Sequence, residues 1–199
     1  EYIRRWYIND AKKILSGMKS LDIVGITGSY GKTSMKFYLG ELLNSQYNTL
    51  ITPESYNTPM GVVKTIRMMM KSTHEIFVCE MGARHVGDIK ELCDIVNPHD
   101  AIITSIGPQH LETFGKIENI ISTKFELGDA VNGKGKILVN GDDENIRKGM
   151  GKYENVITYG FSDNNDYKAK DISVSYKGTK FTVVSKNGEE CEYETSLLG

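Results

Sequence analysis

Apolar positions along the chain follow two rhythms, and from residue 22 onward these rhythms alternate. Residues 22–27, D-I-V-G-I-T, form a short β-branched run of the kind a strand buried on both faces requires. Residues 32–45 then place Met35, Phe37, Tyr38, Leu39, Leu42 and Leu43 at helical spacing. The same alternation predicts strand 48–52 with helix 59–71, strand 75–80 with helix 87–96, and strand 101–106 with helix 117–131. Strand 136–140 and a short helix at 143–150 complete the series. Repeated strand–helix units predict an α/β fold, a mainly parallel sheet flanked by helices on both faces. Beyond residue 155 the texture changes. Residues 155–161 read as a strand, and 171–197 as strands joined by Lys177-Gly178 and Asn187-Gly188 turns, a C-terminal antiparallel extension of the same domain.

Ahead of this series, residues 2–19 space Ile3, Trp6, Tyr7, Ile8, Ala11, Ile14, Leu15 and Met18 as one helical face, with Arg4, Arg5, Lys12 and Lys13 elsewhere. This predicts an amphipathic helix, either docked on the domain or serving as a connector or membrane-surface segment. Residues 1–20 are therefore set apart as a helix or linker before a domain at 21–199. The chain opens on Glu1 and closes on E-T-S-L-L-G, and both ends are expected to be cut from a longer protein.

Composition narrows the classes. The 199 residues carry 24 Lys and Arg against 26 Asp and Glu, a net charge of −2 with the basic residues scattered. That argues against a nucleic-acid groove and makes any attraction for a polyphosphate local. Cys79, Cys93 and Cys191 are odd in number and widely spaced, so neither a disulfide framework nor a zinc site is expected, and a cytoplasmic setting fits. No run reaches transmembrane length.

The candidate chemistry sits after the first strand. Thr27, Gly28, Ser29, Tyr30, Gly31, Lys32, Thr33 and Ser34 link strand to helix. Glycines there let main-chain N–H groups approach an anion, and the helix that follows points its dipole and unpaired donors at the same spot. Lys32 is placed to reach the β- and γ-phosphates of a nucleotide, and the Thr33 hydroxyl to ligate magnesium. The general pattern G-x-x-x-x-G-K-[ST] wants glycine where Ile26 stands, so a plain glycine turn remains the competing reading.

Ligands of open α/β sheets bind beyond the carboxyl ends of the strands, which singles out four further residues. Asn57, beside Thr58, is either a nucleotide or substrate contact or part of a helix cap. Glu80 ends an apolar strand, where a carboxylate needs a partner: a magnesium ion, or an ion pair with a helix lysine. His110 lies on a Gly-Pro loop after the fourth strand, and Lys124 lies within helix 117–131. From spacing alone both read more readily as structural or solvated residues than as site residues.

Taken together, "GITGSYGKTS", "SYNTPMGV", "EIFVCEMGARHVGDI", "ITSIGPQHLETFG", "STKFEL" and "ILVNGDDENI" resemble the central ATP-binding domain of the Mur ligase family over about Val24 to Asp143. The closing "SLLG" resembles the start of the family's LLG-x-HN segment. The family loop T-G-[ST]-x-G-K-[TS] is met by Thr27–Thr33, which accommodates Ile26. The resemblance implies ATP and Mg2+ as cofactors and peptide-bond formation through an acyl phosphate. It also implies a UDP-muramoyl peptide and an amino acid or dipeptide as partners, the branch adding D-alanyl-D-alanine to a tripeptide coming nearest. It implies Lys32 and the loop amides on the phosphates, Thr33 and Glu80 on one metal, and His110 with a carbamylated Lys124 on a second. Lys32, Lys124 and His110 would be the catalytic set, with Asn57 near the triphosphate; Thr58 stands where that branch usually has a second asparagine. Residues 1–20 do not resemble the family's usual UDP-sugar domain, and this stretch alone is expected to bind nucleotide weakly and not to complete ligation. Competing readings are a folylpolyglutamate-type ligase, a P-loop kinase or switch (without the N-K-x-D of a GTPase), and a regulatory nucleotide-binding domain without turnover.

Overall fold

Period-two alternation along the central strands decides which layer each side chain joins. The computed structural model describes residues 2–196. In order these form α1 (Tyr2–Ser16), β1 (Asp22–Thr27), α2 (Lys32–Asn44), β2 (Thr49–Ile51), α3 (Pro59–Met69) and β3 (Ile76–Glu80). They continue with α4 (Asp88–Val96), β4 (Asp100–Ile103), α5 (Leu111–Phe114), α6 (Ile117–Val131), β5 (Ile137–Asn140) and α7 (Glu144–Met150). The chain closes with β6 (Val156–Gly160), β7 (Tyr167–Ser175), β8 (Gly178–Ser185) and β9 (Glu190–Thr195). Leu197–Gly199, the family-like close of the sequence, lies outside the described residues.

The strands build one sheet in the order β2-β3-β1-β4-β5-β6-β7-β8-β9, parallel through β7 and antiparallel from β7 to β9. Ile23, Phe77, Cys79, Ala101, Ile103, Ile137 and Val139 face the larger core, with Val62 and Ile66 of α3, Ile89 and Leu92 of α4, and Ile120 and Leu127 of α6. Their sequence neighbours Val24, Ile26, Val78, Ile102 and Leu138 face the other way, under Met35, Leu39 and Leu43 of α2. Glu80 continues the second set two residues after Val78, so the pleat aims it at α2.

Helix α1 lies against α3 and α4. It buries Ala11, and Arg67 of α3 pairs with Asp10 at 2.6 Å while its guanidinium stacks on Tyr7. On the same face, α6 approaches β1 closely at Gly25, where a Cβ would fall 2.6 Å from Leu127 Cδ1. That approach fixes the depth of α6 and hence of Lys124, one turn earlier.

The connection from β6 to β7 is far shorter than parallel neighbours normally need. It succeeds because only Tyr159–Tyr167 and Gly160–Lys168 overlap. Asp142 gathers the link by accepting from Phe161 N, Ser162 N and Asn165 Nδ2. Burial pushes this carboxyl up, but those donors outweigh it and hold the group down at about 2. At the outer edge, Phe181 and Tyr193 stack as a cross-strand pair, and β9 carries Glu190, Glu192 and Glu194.

Several expected boundaries move. Strand β4 stops at Ile103 rather than 106, because Thr104 and Ser105 turn to bind the loop after β1. Helix α1 ends at Ser16 rather than 19, α3 at Met69 rather than 71, and the residues at 111–114 form a short helix where a loop was expected. The β7–β8 turn is Tyr176-Lys177, one residue before the expected pair, since Gly178 already pairs with Ser175. The second turn forms as expected, with Gly188 at φ 82° donating its N–H to Ser185 O at 2.8 Å.

Gly25→Val is expected to lower stability by about 1–3 kcal/mol, because Leu127 is fully buried and cannot yield. Urea unfolding would read this as a lower midpoint at unchanged slope.

Candidate active site

The loop after β1 is shaped by two residues that need φ > 0. Gly28 has φ 151° and Gly31 φ 80°, and a Cβ on Gly28 would fall 2.1 Å from Thr104 Oγ1. The loop is clasped to the segment after β4: Ser29 N donates to Ser105 O at 2.7 Å, and Tyr30 N to Ser105 Oγ at 2.9 Å. Thr104 Oγ1 in turn donates to Tyr30 O at 2.6 Å, and Gly107 N to Ser29 Oγ at 3.0 Å. No side chain caps the first turn of α2. Its N–H donors and dipole therefore open onto the loop, as an anion site requires.

Lys32 folds back over the loop, its Nζ donating to Gly28 O at 2.7 Å and Ser29 O at 3.1 Å. Burial lowers its pKa, partly offset by the Glu80 carboxylate. Glu80, 1% exposed, is held by three donors, two from α2 and one from the loop after β2. Thr33 Oγ1 stands 3.2 Å from Oε1, Asn57 Nδ2 2.9 Å from the same oxygen, and Lys36 Nζ 3.0 Å from Oε2. The helix-lysine alternative for Glu80 is thus realised by Lys36, itself fully buried. Asn57 and Thr58 divide the two roles open to them: Thr58 Oγ1 caps α3 through Gly61 N, while Asn57 turns to Glu80.

Lys32, Asn57, His110 and Lys124 line one cleft of about 380 Å³, with Arg4, Arg84, His85 and Asp88 on its walls. A cleft of equal volume at the opposite end of the strands, beside Lys12, Lys19 and His99, has none of the loop chemistry. His110 enters the cleft from an αL backbone, φ 55°, at the start of α5. Lys124 is buried, and desolvation followed by repulsion from Lys32 lowers its pKa to about 8. Glu126, next along α6, accepts from Gly87 N and Lys90 N at 2.8 Å each and so ties α6 to the start of α4. Burial raises its pKa against those two bonds.

Three supporting residues went unread in the sequence. Lys36 was hidden in the helical pattern of α2. Ser105 falls inside the strand expected over 101–106. Asp143 caps α7 through Asn145 N and Ile146 N and, with its other oxygen, accepts from Ile106 N at 2.8 Å. The signal for Asp143 was present as an Asp three residues before an apolar helix position.

A parallel sheet with a glycine-lysine-threonine loop between its central strand and the next helix defines a P-loop α/β domain. The profile of the Mur ligase middle domain matches residues 26–199, and the chain belongs to that family. It is 34% identical over 177 residues to the UDP-N-acetylmuramoyl-tripeptide--D-alanyl-D-alanine ligase of Bacillus subtilis (strain 168), covering 89% of this chain and 37% of that protein. To the enzyme of the same name from Escherichia coli (strain K12) it is 29% identical over 169 residues, covering 83% of this chain and 37% of the relative. The crystal structure of MurF ligase from Thermotoga maritima in complex with ADP superposes with a TM-score of 0.87 at 30% identity, over 96% of this chain and 44% of that one. MurF from Acinetobacter baumannii gives 0.86 at 27%, over 98% and 43%. The chain thus spans less than half the length of these relatives.

The position of Lys124 sets a pH dependence. Its folded pKa, about 8, lies below the ordinary 10.5, so the unfolded chain binds more protons between those values and stability rises with pH there. In metal-free, CO2-free buffer Lys124→Met is expected to stabilise the protein at pH 7, by an amount that shrinks between pH 8 and 10.5. Urea midpoints across that range would check it.

Proposed function

We propose that this chain is the nucleotide-binding middle domain of an ATP-dependent carboxylate–amine ligase, joining D-alanyl-D-alanine to a UDP-muramoyl tripeptide in cell-wall precursor synthesis. The observation that carries the reading is the convergence of Lys32, Asn57, His110 and Lys124 on one cleft beside the Thr33–Glu80 pair. The ADP complex of the Thermotoga maritima relative supports a nucleotide there.

Magnesium fits the residues present. Thr33 Oγ1 and Glu80 Oε1 are hard oxygen donors 3.2 Å apart. That suits a cation which keeps its waters and takes further oxygens from a polyphosphate. Bound together, ATP and magnesium would supply the phosphoryl group that turns a carboxylate into an acyl phosphate open to attack by an amine.

The chain's own contribution is positioning and charge. Lys32 would leave the Gly28 and Ser29 carbonyls for the phosphates, and the α2 amides would hold the same oxygens. His110 and Lys124 would organise a second cation on the far wall of the cleft. For that role Lys124 must lose its positive charge. Its lowered pKa leaves more neutral amine at pH 7 than an exposed lysine has, and that nitrogen can add to CO2, releasing a proton to give an anionic carbamate. Among the described residues no helix is long and apolar enough to cross a membrane. The free thiols of Cys79, Cys93 and Cys191 fit a reducing, cytoplasmic setting for the proposed reaction.

In a full-length protein carrying this domain, Lys32→Ala is expected to cut phosphate release dependent on both substrates by about a hundredfold or more while leaving the melting curve in place. Unchanged function would instead point to a regulatory domain without turnover. Labelled bicarbonate should yield a carbamate carbon resonance that disappears in Lys124→Ala.

A further inference from the structure

Two charges buried together at the rim of a sheet call for an explanation. Lys36 is fully buried and Glu80 1% exposed, and such a pair gains little stability over apolar residues of the same volume. Lys36 is nonetheless held from several sides. Its Nζ lies 3.0 Å from Glu80 Oε2, donates to the carbonyl of Glu54, and rests 4.7 Å from the centre of the Phe37 ring. The Glu54 carbonyl belongs to a residue at φ 42°, so the ammonium also steadies an uncommon backbone in the loop that carries Asn57.

The two carboxylate oxygens of Glu80 are thereby made unequal. Oε2 is taken by Lys36. Oε1 faces Thr33 Oγ1 and Asn57 Nδ2, neutral groups that can turn aside. We infer that Lys36 is the fixed counter-ion of Glu80, presenting Oε1 alone to a cation and cancelling the charge that would otherwise attract a bare divalent ion, so that metal enters only together with a polyphosphate. This rests on the reading of Thr33 and Glu80 as metal-binding oxygens. The reasoning is Coulombic: a lone buried carboxylate attracts a dication, whereas a carboxylate–ammonium pair has no net charge to offer. The negative charge of a nucleotide tail restores the attraction. One-oxygen coordination also favours magnesium, with its compact octahedron, over calcium, which readily takes both oxygens of a carboxylate.

Lys36 is on this account a positioning residue, and Mn2+ read by electron paramagnetic resonance tests it without turnover. The wild-type protein is expected to leave Mn2+ free when no nucleotide is present and to retain it once a non-hydrolysable ATP analogue is added. Lys36→Met should bind Mn2+ without nucleotide at least about tenfold more tightly than wild type. Adding Glu80→Gln to that variant should abolish the gain, and Lys36→Arg, which keeps the charge, should behave as wild type. Lys36→Met binding Mn2+ no better than wild type would overturn the inference, as would wild type holding Mn2+ equally well with and without nucleotide. If circular dichroism shows Lys36→Met unfolded, the wild-type comparison and Lys36→Arg decide, and Mn2+ binding to Lys36→Arg without nucleotide overturns it. Failure of wild type to retain Mn2+ even with the analogue would instead remove the underlying reading of Thr33 and Glu80.

Discussion

The carboxylate of Glu80 is the point on which the site's geometry turns. It is the last residue of β3, register-paired with Ile26 on β1, and the pleat aims it under α2. Two segments then converge on two oxygen atoms: the helix after the phosphate loop through Thr33 and Lys36, and the loop after β2 through Asn57. A buried carboxylate without those donors would cost several kcal/mol, so the fold cannot relax one segment without disturbing the others. Tying α2 and the β2 loop to β3 in this way makes the mouth of the cleft a single rigid rim.

A second clasp acts on the other side of β1. Thr104, Ser105 and Gly107 bind the loop residues Ser29 and Tyr30, and Asp143 holds the intervening Ile106 from below. The phosphate loop is therefore gripped by both neighbouring strand ends. What can move is Lys32, whose present partners are two carbonyls of its own loop.

Much of this was legible from the chain alone, for identifiable reasons. The central strands are buried on both faces and read as unbroken apolar runs, so their positions fell within a residue or two, the end of β4 excepted. The phosphate loop was visible because glycine, lysine and threonine carry its chemistry in a local stretch. Glu80 was visible because a carboxylate closing an apolar strand must be answered by something. Lys36 was not, because helical periodicity treats a lysine between apolar positions as solvated, and only the pairing of β3 beside β1 brings it a partner. The end of β4 was misplaced for a related reason: Thr104 and Ser105 have strand-like side chains but spend their hydrogen bonds on a loop distant in sequence. The roles of His110 and Lys124 came from family likeness rather than spacing. Their shared cleft depends on the close contact of Gly25 with Leu127, a tertiary fact with no local signature.

The outermost strand has a consequence for how these molecules behave toward one another. Among the described residues this broad sheet ends in β9, and an edge strand of this kind can template a neighbour's strand, the usual route to fibrous association. Its acidic side chains recur at every second position, and Glu190 and Glu194 already have lysine partners on the adjoining strands. Two such borders meeting would set like charges against each other with few cations left to share. Charge along this border thus works against strand-to-strand pairing between molecules.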